Sequence, residues 1–368
     1  MNDTPRVRFD RTALSILKDE LRCFCSEFAA VTFKDAAFAG FGCHCCFQRY
    51  FACAIAGLVG LALGGSLWAY IDRFGNLMKK LLVTGASGFL GWHLCQLAQQ
   101  EWEVYGTYFS HSLEIPGVNL LKVEFKDFQE LKHLFQEIKP DGAIHTAARS
   151  QPNFCQQYPD ESYPINVSAS CNIAGLCADA SIPCVFTSTD LVFDGLNAPY
   201  RETDPVSPVN VYGEQKVMAE EGMLERYPMT AICRMPLMFG MVTPTATSFM
   251  QPFIQMLREG KELSLFIDEF RTPVSGTTAA KGLLLALEKV NGRLHLGGKE
   301  RISRYEFGRL LVEVLQLPEA VLKSCRQEDV KMAAPRPADV SLDSSKAFEL
   351  GYSPLSVREE LAALRGKI

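Results

Sequence analysis

The sequence has no surplus of charge of one sign. Its 37 lysines and arginines meet 42 aspartates and glutamates, a net charge of −5 over 368 residues. That balance gives no electrostatic basis for binding nucleic acid. Repeats and low-complexity segments are missing too, which leaves out the architectures that such periods signal. Paired cysteine spacing is also lacking. The 13 cysteines are odd in number and scattered, which argues against a disulfide framework. The cluster Cys43-x-Cys45-Cys46 with His44 fits no common zinc spacing, and no second ligand pair follows it. Free thiols and no metal site are therefore expected. Histidine is scarce, with six residues. His145 lies in an apolar run and reads as a packed side chain, while His93, His133 and His295 read as helix or strand surface.

What is present is globular in balance: 48% hydrophobic and 21% charged residues, enough for one large or two ordinary domains. The first 77 residues stand apart. Tyr50 to Ile71 runs uncharged between Arg49 and Asp72, long enough to span a bilayer as a helix. Trp68 and Tyr70 sit near one end, and Gly60 and Gly64 form a Gly-x-x-x-Gly face. Two expectations compete: a membrane anchor, or an extension ahead of a natural start at Met78. A soluble apolar helix is the lesser alternative. For an anchor, Arg73, Lys79 and Lys80 lean the catalytic side towards the cytoplasm.

The chain is organised around Lys80-Leu81-Leu82-Val83-Thr84-Gly85-Ala86-Ser87-Gly88-Phe89-Leu90-Gly91. A short apolar strand meets a glycine-rich turn, and a helical pattern follows. Gly85 suits the tight turn, Gly88 a close approach to a pyrophosphate, and Gly91 close packing of helix on strand. The helix start then offers free N–H groups and a partial positive charge to phosphates. Downstream, strands and helices alternate. Leu120–Phe125, Gly142–Ala148, Pro183–Ser188 and Thr230–Arg234 read as strands, with helical spacing over 129–138, 163–180 and 212–226. This order implies an α/β fold: a Rossmann-type doubly wound parallel sheet over residues 78–235, followed by a smaller α/β substrate-binding lobe over 236–368. Gly88, Ala147 and Thr189 fall at the carboxyl ends of strands and should converge. Candidate cofactor contacts are Gly85, Ser87, Gly88, Phe89, Leu90, Gly91, Glu124, Ala147, Ala148, Tyr212 and Lys216.

An NAD-preferring site usually carries an acid at the end of the second strand, on the ribose 2′-hydroxyl. Here that stretch reads Thr107-Tyr108-Phe109-Ser110-His111-Ser112, with no acid before Glu114 and no arginine. NADP(H) is favoured modestly, and NAD(H) remains open. Glu124 is placed to contact adenine or to be a solvated loop carboxylate.

Tyr212 and Lys216, four apart on a helix, share one face. An adjacent ammonium should lower the phenol pKa from about 10 towards the range of a general acid. The preceding strand ends in Thr187-Ser188-Thr189-Asp190, and the Thr189 hydroxyl suits a carbonyl oxygen. The three together suit hydride transfer to a ketone. Arg271 reads either as a contact for a substrate phosphate or as a surface arginine, and Arg234 as a structural residue at a strand end.

The chain resembles the extended short-chain dehydrogenase/reductase family, and within it the dTDP-4-dehydrorhamnose reductase group. The resemblance rests on Thr84 to Gly91, Ser188 to Gly195 and Pro205 to Lys216, with weaker likeness at Asp268 to Pro273, Leu296 to Gly298, Ser303 to Phe307 and Arg336 to Asp339. It implies a catalytic set of Thr189, Tyr212 and Lys216, a nucleotide-sugar pocket in the C-terminal lobe, a supporting role for Asn166, and a homodimer through helices flanking the active-site helix. Three departures bear on the substrate rather than the reaction class. Leu191 replaces a usual tyrosine, Phe89 a frequent glutamine, and Thr277-Thr278 a frequent aspartate. Dehydratases of this superfamily need an acid pair after the threonine, and here Leu191 follows Asp190. An epimerase, and a non-catalytic regulatory subunit like the beta subunit of methionine adenosyltransferase, remain as alternatives.

Overall fold

The computed structural model describes residues 78–368, apart from 112, 244, 247 and 318–321. The apolar segment 50–71 and the cysteine cluster at 43–46 lie outside the described residues. Among those described, no helix is long and apolar enough to cross a membrane.

Strand β1 (Lys80–Thr84) leads through the glycine turn into α1 (Phe89–Ala98), and β2 (Glu103–Tyr108) and β3 (Val118–Lys122) follow. Helix α2 (Phe128–Ile138) starts at Asp127, whose carboxylate accepts from the backbone N–H groups of Gln129 and Glu130. It ends at Lys139, which adopts a left-handed φ of 51°. Strand β4 (Gly142–His145) precedes two short helices, α3 (Pro152–Gln157) and α4 (Pro159–Tyr163). A π-helical turn, Pro164–Ser168, then runs into α5 (Ala169–Ala180). The expected single helix over 163–180 is thus divided. Pro164 has no N–H to give, and the backbone widens by one residue just after it.

Strand β5 (Cys184–Thr189), α6 (Val211–Arg226) and β6 (Ala231–Met235) complete the expected half of the sheet. The short strand β7 (Met238–Phe239), α7 (Met250–Arg258), β8 (Leu263–Phe266), β9 (Phe270–Arg271) and β10 (Val274–Ser275) then build outward. Helix α8 (Gly276–Lys289) and β11 (Gly292–His295) return to the sheet. The seven strands are parallel and ordered β11-β6-β5-β4-β1-β2-β3. Direction of growth reverses between β1 and β4, the crevice where ligands of such sheets bind.

The sheet is covered on both faces, so β1, β4, β5 and β6 are buried almost throughout, while edge strand β3 is only partly covered. Alternation along β1 sends Leu81 and Val83 to one core with Leu94, Leu283 and Leu287, and Leu82 to the other with Phe135, Ile173 and Met223. A third core, with Phe239, Ile254, Phe307, Leu311 and Leu361, holds the outer lobe. The division expected at 235/236 is crossed once. The segment 276–295 belongs to the sheet, because α8 packs its small face on α1 and β11 pairs with β6.

Two histidines depart from expectation. His93 is buried, with Nε2 3.1 Å from the Met241 carbonyl and Nδ1 3.2 Å from the Thr277 hydroxyl. His295 is buried too, with Nδ1 3.1 Å from the Tyr200 carbonyl. Both lie where the outer segments cover the sheet domain, a layer that local periodicity does not reveal. His133 is on the surface, as expected, paired with Glu137 one turn on.

Candidate active site

The glycine turn is shaped by its neighbours. Gly85 has φ +72°, and a Cβ there would lie 2.8 Å from the Ala147 Cα. A Cβ on Gly91 would run into the Gly85 carbonyl. Gly88 donates its N–H to that same carbonyl at 2.9 Å and caps α1 with no side-chain acceptor, leaving the helix start open to a ligand. Thr107 ties the loop to β2 by accepting from Gly85 N–H at 3.1 Å. Thr84 Oγ1 accepts from the N–H groups of Thr146 and Ala147, which fixes the end of β4 beside the loop.

A groove of about 360 Å³ runs over this cradle. All of the expected cofactor contacts line it: Gly85 to Gly91 with Ala86 excepted, Glu124, Ala147, Ala148, Tyr212 and Lys216. It is elongated, from Ser110 and Glu124 at one end to Tyr212 at the other. With glycine where side chains would collide and open N–H groups at the turn, the residues fit a dinucleotide. Lys126 and Arg149 also line it and were missed by sequence reasoning. For Lys126, its place two residues beyond Glu124 was the available signal.

At the far end of the groove α6 delivers two side chains. Asn210 caps this helix by accepting from Gly213 N–H at 2.9 Å. A Cβ on Gly213 would strike the Leu191 carbonyl, so glycine lets the helix press on the turn that carries Thr189 and Asp190. This contact brings Thr189 and Tyr212 to one place. Lys216, fully buried, donates to the Thr187 carbonyl at 2.8 Å, and its Nζ lies 4.4 Å from the Phe186 ring centroid. Burial lowers its pKa to about 7. The expected lowering of the Tyr212 pKa is not found. Burial pushes the phenol up, and the Cys155 and Asp190 charges add to that.

Asn166 lies in the π-helical turn, fully buried. It donates to Gln215 Oε1 at 2.8 Å and accepts from Arg149 N–H at 2.8 Å, which joins α6 to the end of β4. Gln215 in turn donates to Ser162 Oγ at 2.8 Å. Arg234 is the structural residue expected. It is buried and makes two hydrogen bonds to Glu220, of 3.0 and 2.8 Å.

A second cavity, about 640 Å³, opens beside the first and shares Tyr212, Ser188 and Met238 with it. Thr189, Asp190, Arg271, Arg304 and Arg336 form a polar wall. Arg271 is 4% exposed, so the surface alternative fails. Its Nε lies 3.5 Å from Asp190 and its Nη2 3.4 Å from Glu269, while Nη1 donates to the carbonyls of Phe270 and Pro337. Arg304 donates to Glu269 at 2.9 Å and lies over the Phe249 ring at 4.7 Å. Arg336 donates to Asn153 Oδ1 at 3.1 Å. Arg304 and Arg336 fall in the stretches of weaker family likeness, but no site role follows for them from the sequence, because nothing local brings residues 304 and 336 towards residue 190.

Comparison with known proteins agrees with this arrangement. The model of the RmlD substrate binding domain family matches residues 78–366. The methionine adenosyltransferase 2 subunit beta of Pongo abelii is 30% identical over 282 residues, which cover 74% of this chain and 83% of that protein. A probable low-salt glycan biosynthesis reductase of Haloferax volcanii is 30% identical over 290 residues, 77% of this chain and 96% of that one. The crystal structure of a hypothetical dTDP-4-dehydrorhamnose reductase from Sulfolobus tokodaii superposes with a TM-score of 0.68 at 31% identity, covering 76% of this chain and 98% of its own. With the family's pattern filled from residue 78 to 366 on a seven-stranded parallel sheet, the chain belongs to the RmlD substrate binding domain family of extended short-chain dehydrogenase/reductases.

Proposed function

We propose that the protein is a reductase of a 4-keto nucleotide sugar, using NADP(H) in preference to NAD(H). The observation that carries this reading is that Tyr212 lines both cavities, with Thr189 beside it in one and Lys216 in the other. A donor placed between a dinucleotide groove and a second pocket suits proton delivery to a carbonyl oxygen.

When bound, the nicotinamide supplies hydride to the carbonyl carbon. Everything else falls to the chain. Gly85, Ser87, Gly88, Phe89, Leu90 and Gly91 would hold the dinucleotide phosphates, and Glu124, Ala147 and Ala148 line the same groove. Thr189, whose hydroxyl here donates to Asp190 Oδ1 at 3.1 Å, would turn that O–H to the carbonyl oxygen to orient it, and Tyr212 gives its hydroxyl proton to the oxygen as charge develops there. Burial that raises the Tyr212 pKa keeps that proton in place at neutral pH. Lys216, near neutrality in its own titration, supports the phenolate formed by donation. Asn166 acts indirectly by holding Gln215 and Arg149. Arg271 backs Asp190 in the substrate pocket rather than offering a free cation. The lean to NADP(H) follows from Ser110 and Lys126 at the adenosine end, where no acid follows β2.

A second reading has support from the relatives that carry the name of a methionine adenosyltransferase subunit at 30% identity. There the same groove would bind the dinucleotide without turnover. The test is NADPH and NADH consumption by the full chain with a dTDP-4-keto-6-deoxy sugar. Turnover supports the reductase. Tight NADPH binding without turnover on that and related keto sugars moves the assignment to a binding subunit.

A further inference from the structure

His145 is buried at the end of β4 and takes no part in the chemistry set out above. Both of its ring nitrogens are engaged. Nδ1 lies 2.6 Å from Thr84 Oγ1, and Nε2 lies 3.0 Å from Ser170 Oγ. Counting hydrogens at each neighbour fixes which nitrogen carries the proton. Thr84 Oγ1 already accepts from the N–H groups of Thr146 at 3.1 Å and Ala147 at 3.3 Å, which fills its two lone pairs. Its own hydrogen therefore goes to His145, and Nδ1 is the acceptor. Ser170 donates its hydroxyl hydrogen to the Asn166 carbonyl at 2.8 Å, so towards His145 it can only accept. Nε2 is then the donor. Two separate neighbours require the same neutral tautomer. The opposite tautomer would set lone pairs face to face at Ser170 and strand the Thr84 hydrogen. Burial, with the Lys216 charge adding to it, lowers the pKa to about 3 and keeps the ring neutral.

Each end of this chain of bonds reaches a different part of the site. At the Thr84 end, the Ala147 backbone is held against the glycine turn, so closely that a Cβ on Gly85 would lie 2.8 Å from the Ala147 Cα. Gly85 and Ala147 both line the dinucleotide groove. At the Ser170 end, the Asn166 carbonyl belongs to the π-helical turn, which sets Ile165 in the groove wall and Asn166 against Gln215. Gln215 directly precedes Lys216 on α6. The imidazole also stacks on Phe186, with ring centroids 5.7 Å apart, and Lys216 Nζ meets that same ring at 4.4 Å.

We infer that His145, in its Nε2–H form, is a positioning residue that sets both ends of the groove. Nδ1 orients the Thr84 hydroxyl that holds Ala147 against the glycine turn, and Nε2–H, through Ser170, braces the Asn166 turn against the catalytic helix. The effect on turnover rests on the reductase reading, whereas the effect on NADPH binding does not.

The test replaces one nitrogen at a time in the full chain. In His145→Asn the amide oxygen can stand where Nδ1 stood, and nothing reaches Ser170. In His145→Gln the amide N–H can reach Ser170, and nothing meets Thr84. NADPH dissociation constants and kcat with dTDP-4-keto-6-deoxyglucose are measured for both. His145→Asn is expected to keep NADPH affinity within about twofold and to lose about tenfold in kcat, as for one buried hydrogen bond. His145→Gln is expected to show the reverse: NADPH about tenfold weaker, and kcat at saturating NADPH within about threefold. Imidazole 15N NMR of the parent at pH 7, with His145 assigned through bonds from its own backbone, should show a bare Nδ1 and a protonated Nε2. A proton on Nδ1 overturns the inference, and that measurement needs no variant to fold. Equal losses in both readouts for both variants, as a merely structural histidine would give, overturn it too, and so do two variants that match the parent. A parent that binds NADPH but turns nothing over sinks the reductase reading and the kcat arm with it. The NMR and the NADPH comparison then decide the remaining half alone.

Discussion

Lys216 lies one helical turn from Tyr212, its Nζ 5.9 Å from the centre of the phenol ring, and donates to the Thr187 carbonyl. One acceptor is little compensation for an ammonium in a fully buried place, and its pKa falls to about 7. The sign follows from proton counts. Between pH 7 and 10.5 the unfolded chain holds a proton at this lysine that the folded chain has given up, so stability rises with pH across that window. Replacing the lysine removes the cost. Lys216→Met is expected to raise stability at pH 6 by about 1–2 kcal/mol, a few degrees in Tm, while turnover drops. Thermal unfolding at pH 6 and pH 10 checks this, with the gain confined to the lower pH.

Asp190 gives a second pH signature. Burial, against the pull of Arg271, raises its pKa to about 6. Its folded value exceeds the unfolded one of 3.8, so its contribution to stability is fullest below pH 3.8 and is lost as pH rises through 6. Asp190→Asn should therefore melt higher than the parent at pH 8 and lose that advantage at pH 4.

Glu220 holds Arg234, Arg293 and the Ser188 hydroxyl at once. Glu220→Gln would strand Arg234, which is 1% exposed. Loss of one partner of such a pair costs about 3–5 kcal/mol. Urea unfolding should show a midpoint shift of that size. A shift below about 1 kcal/mol would mean that Arg234 finds other partners or water.

Gly91→Ala tests the cradle. The added methyl meets the backbone of Gly85, which cannot swing aside as a side-chain end can. Helix α1 must move, at about 1–3 kcal/mol, and its N–H groups leave their place over the turn. NADPH affinity measured by fluorescence should fall by more than about tenfold. Unchanged affinity would place the dinucleotide elsewhere.

The parts of the site legible in the sequence are those set by local spacing. Strand, glycine turn and helix follow one another at Leu81 to Gly91, and the Tyr212–Lys216 pair follows from 3.6 residues per turn. The sheet order places both at carboxyl ends of strands, hence in one groove. The remainder depends on distant segments. Arg304 and Arg336 line the same cavity as Asp190 only because segments distant in sequence fold together there, and His93 and His295 are buried by outer segments too. The return of α8 and β11 to the sheet was hidden because their local pattern does not name their partners. The Tyr212 pKa departs from the sequence expectation for a related reason. Spacing reveals the neighbouring charge, while the depth of burial that outweighs it belongs to the tertiary structure.

The proposed reduction turns on proton delivery from Tyr212 to a keto sugar, with NADP(H) as the hydride source. NADPH oxidation by the full chain with dTDP-4-keto-6-deoxyglucose, run beside Tyr212→Phe, tests it most directly. Turnover by the parent is expected, with a loss of at least about 10²-fold in the variant and NADPH affinity unchanged. Equal turnover by both proteins, or none by a parent that binds NADPH tightly, would contradict it.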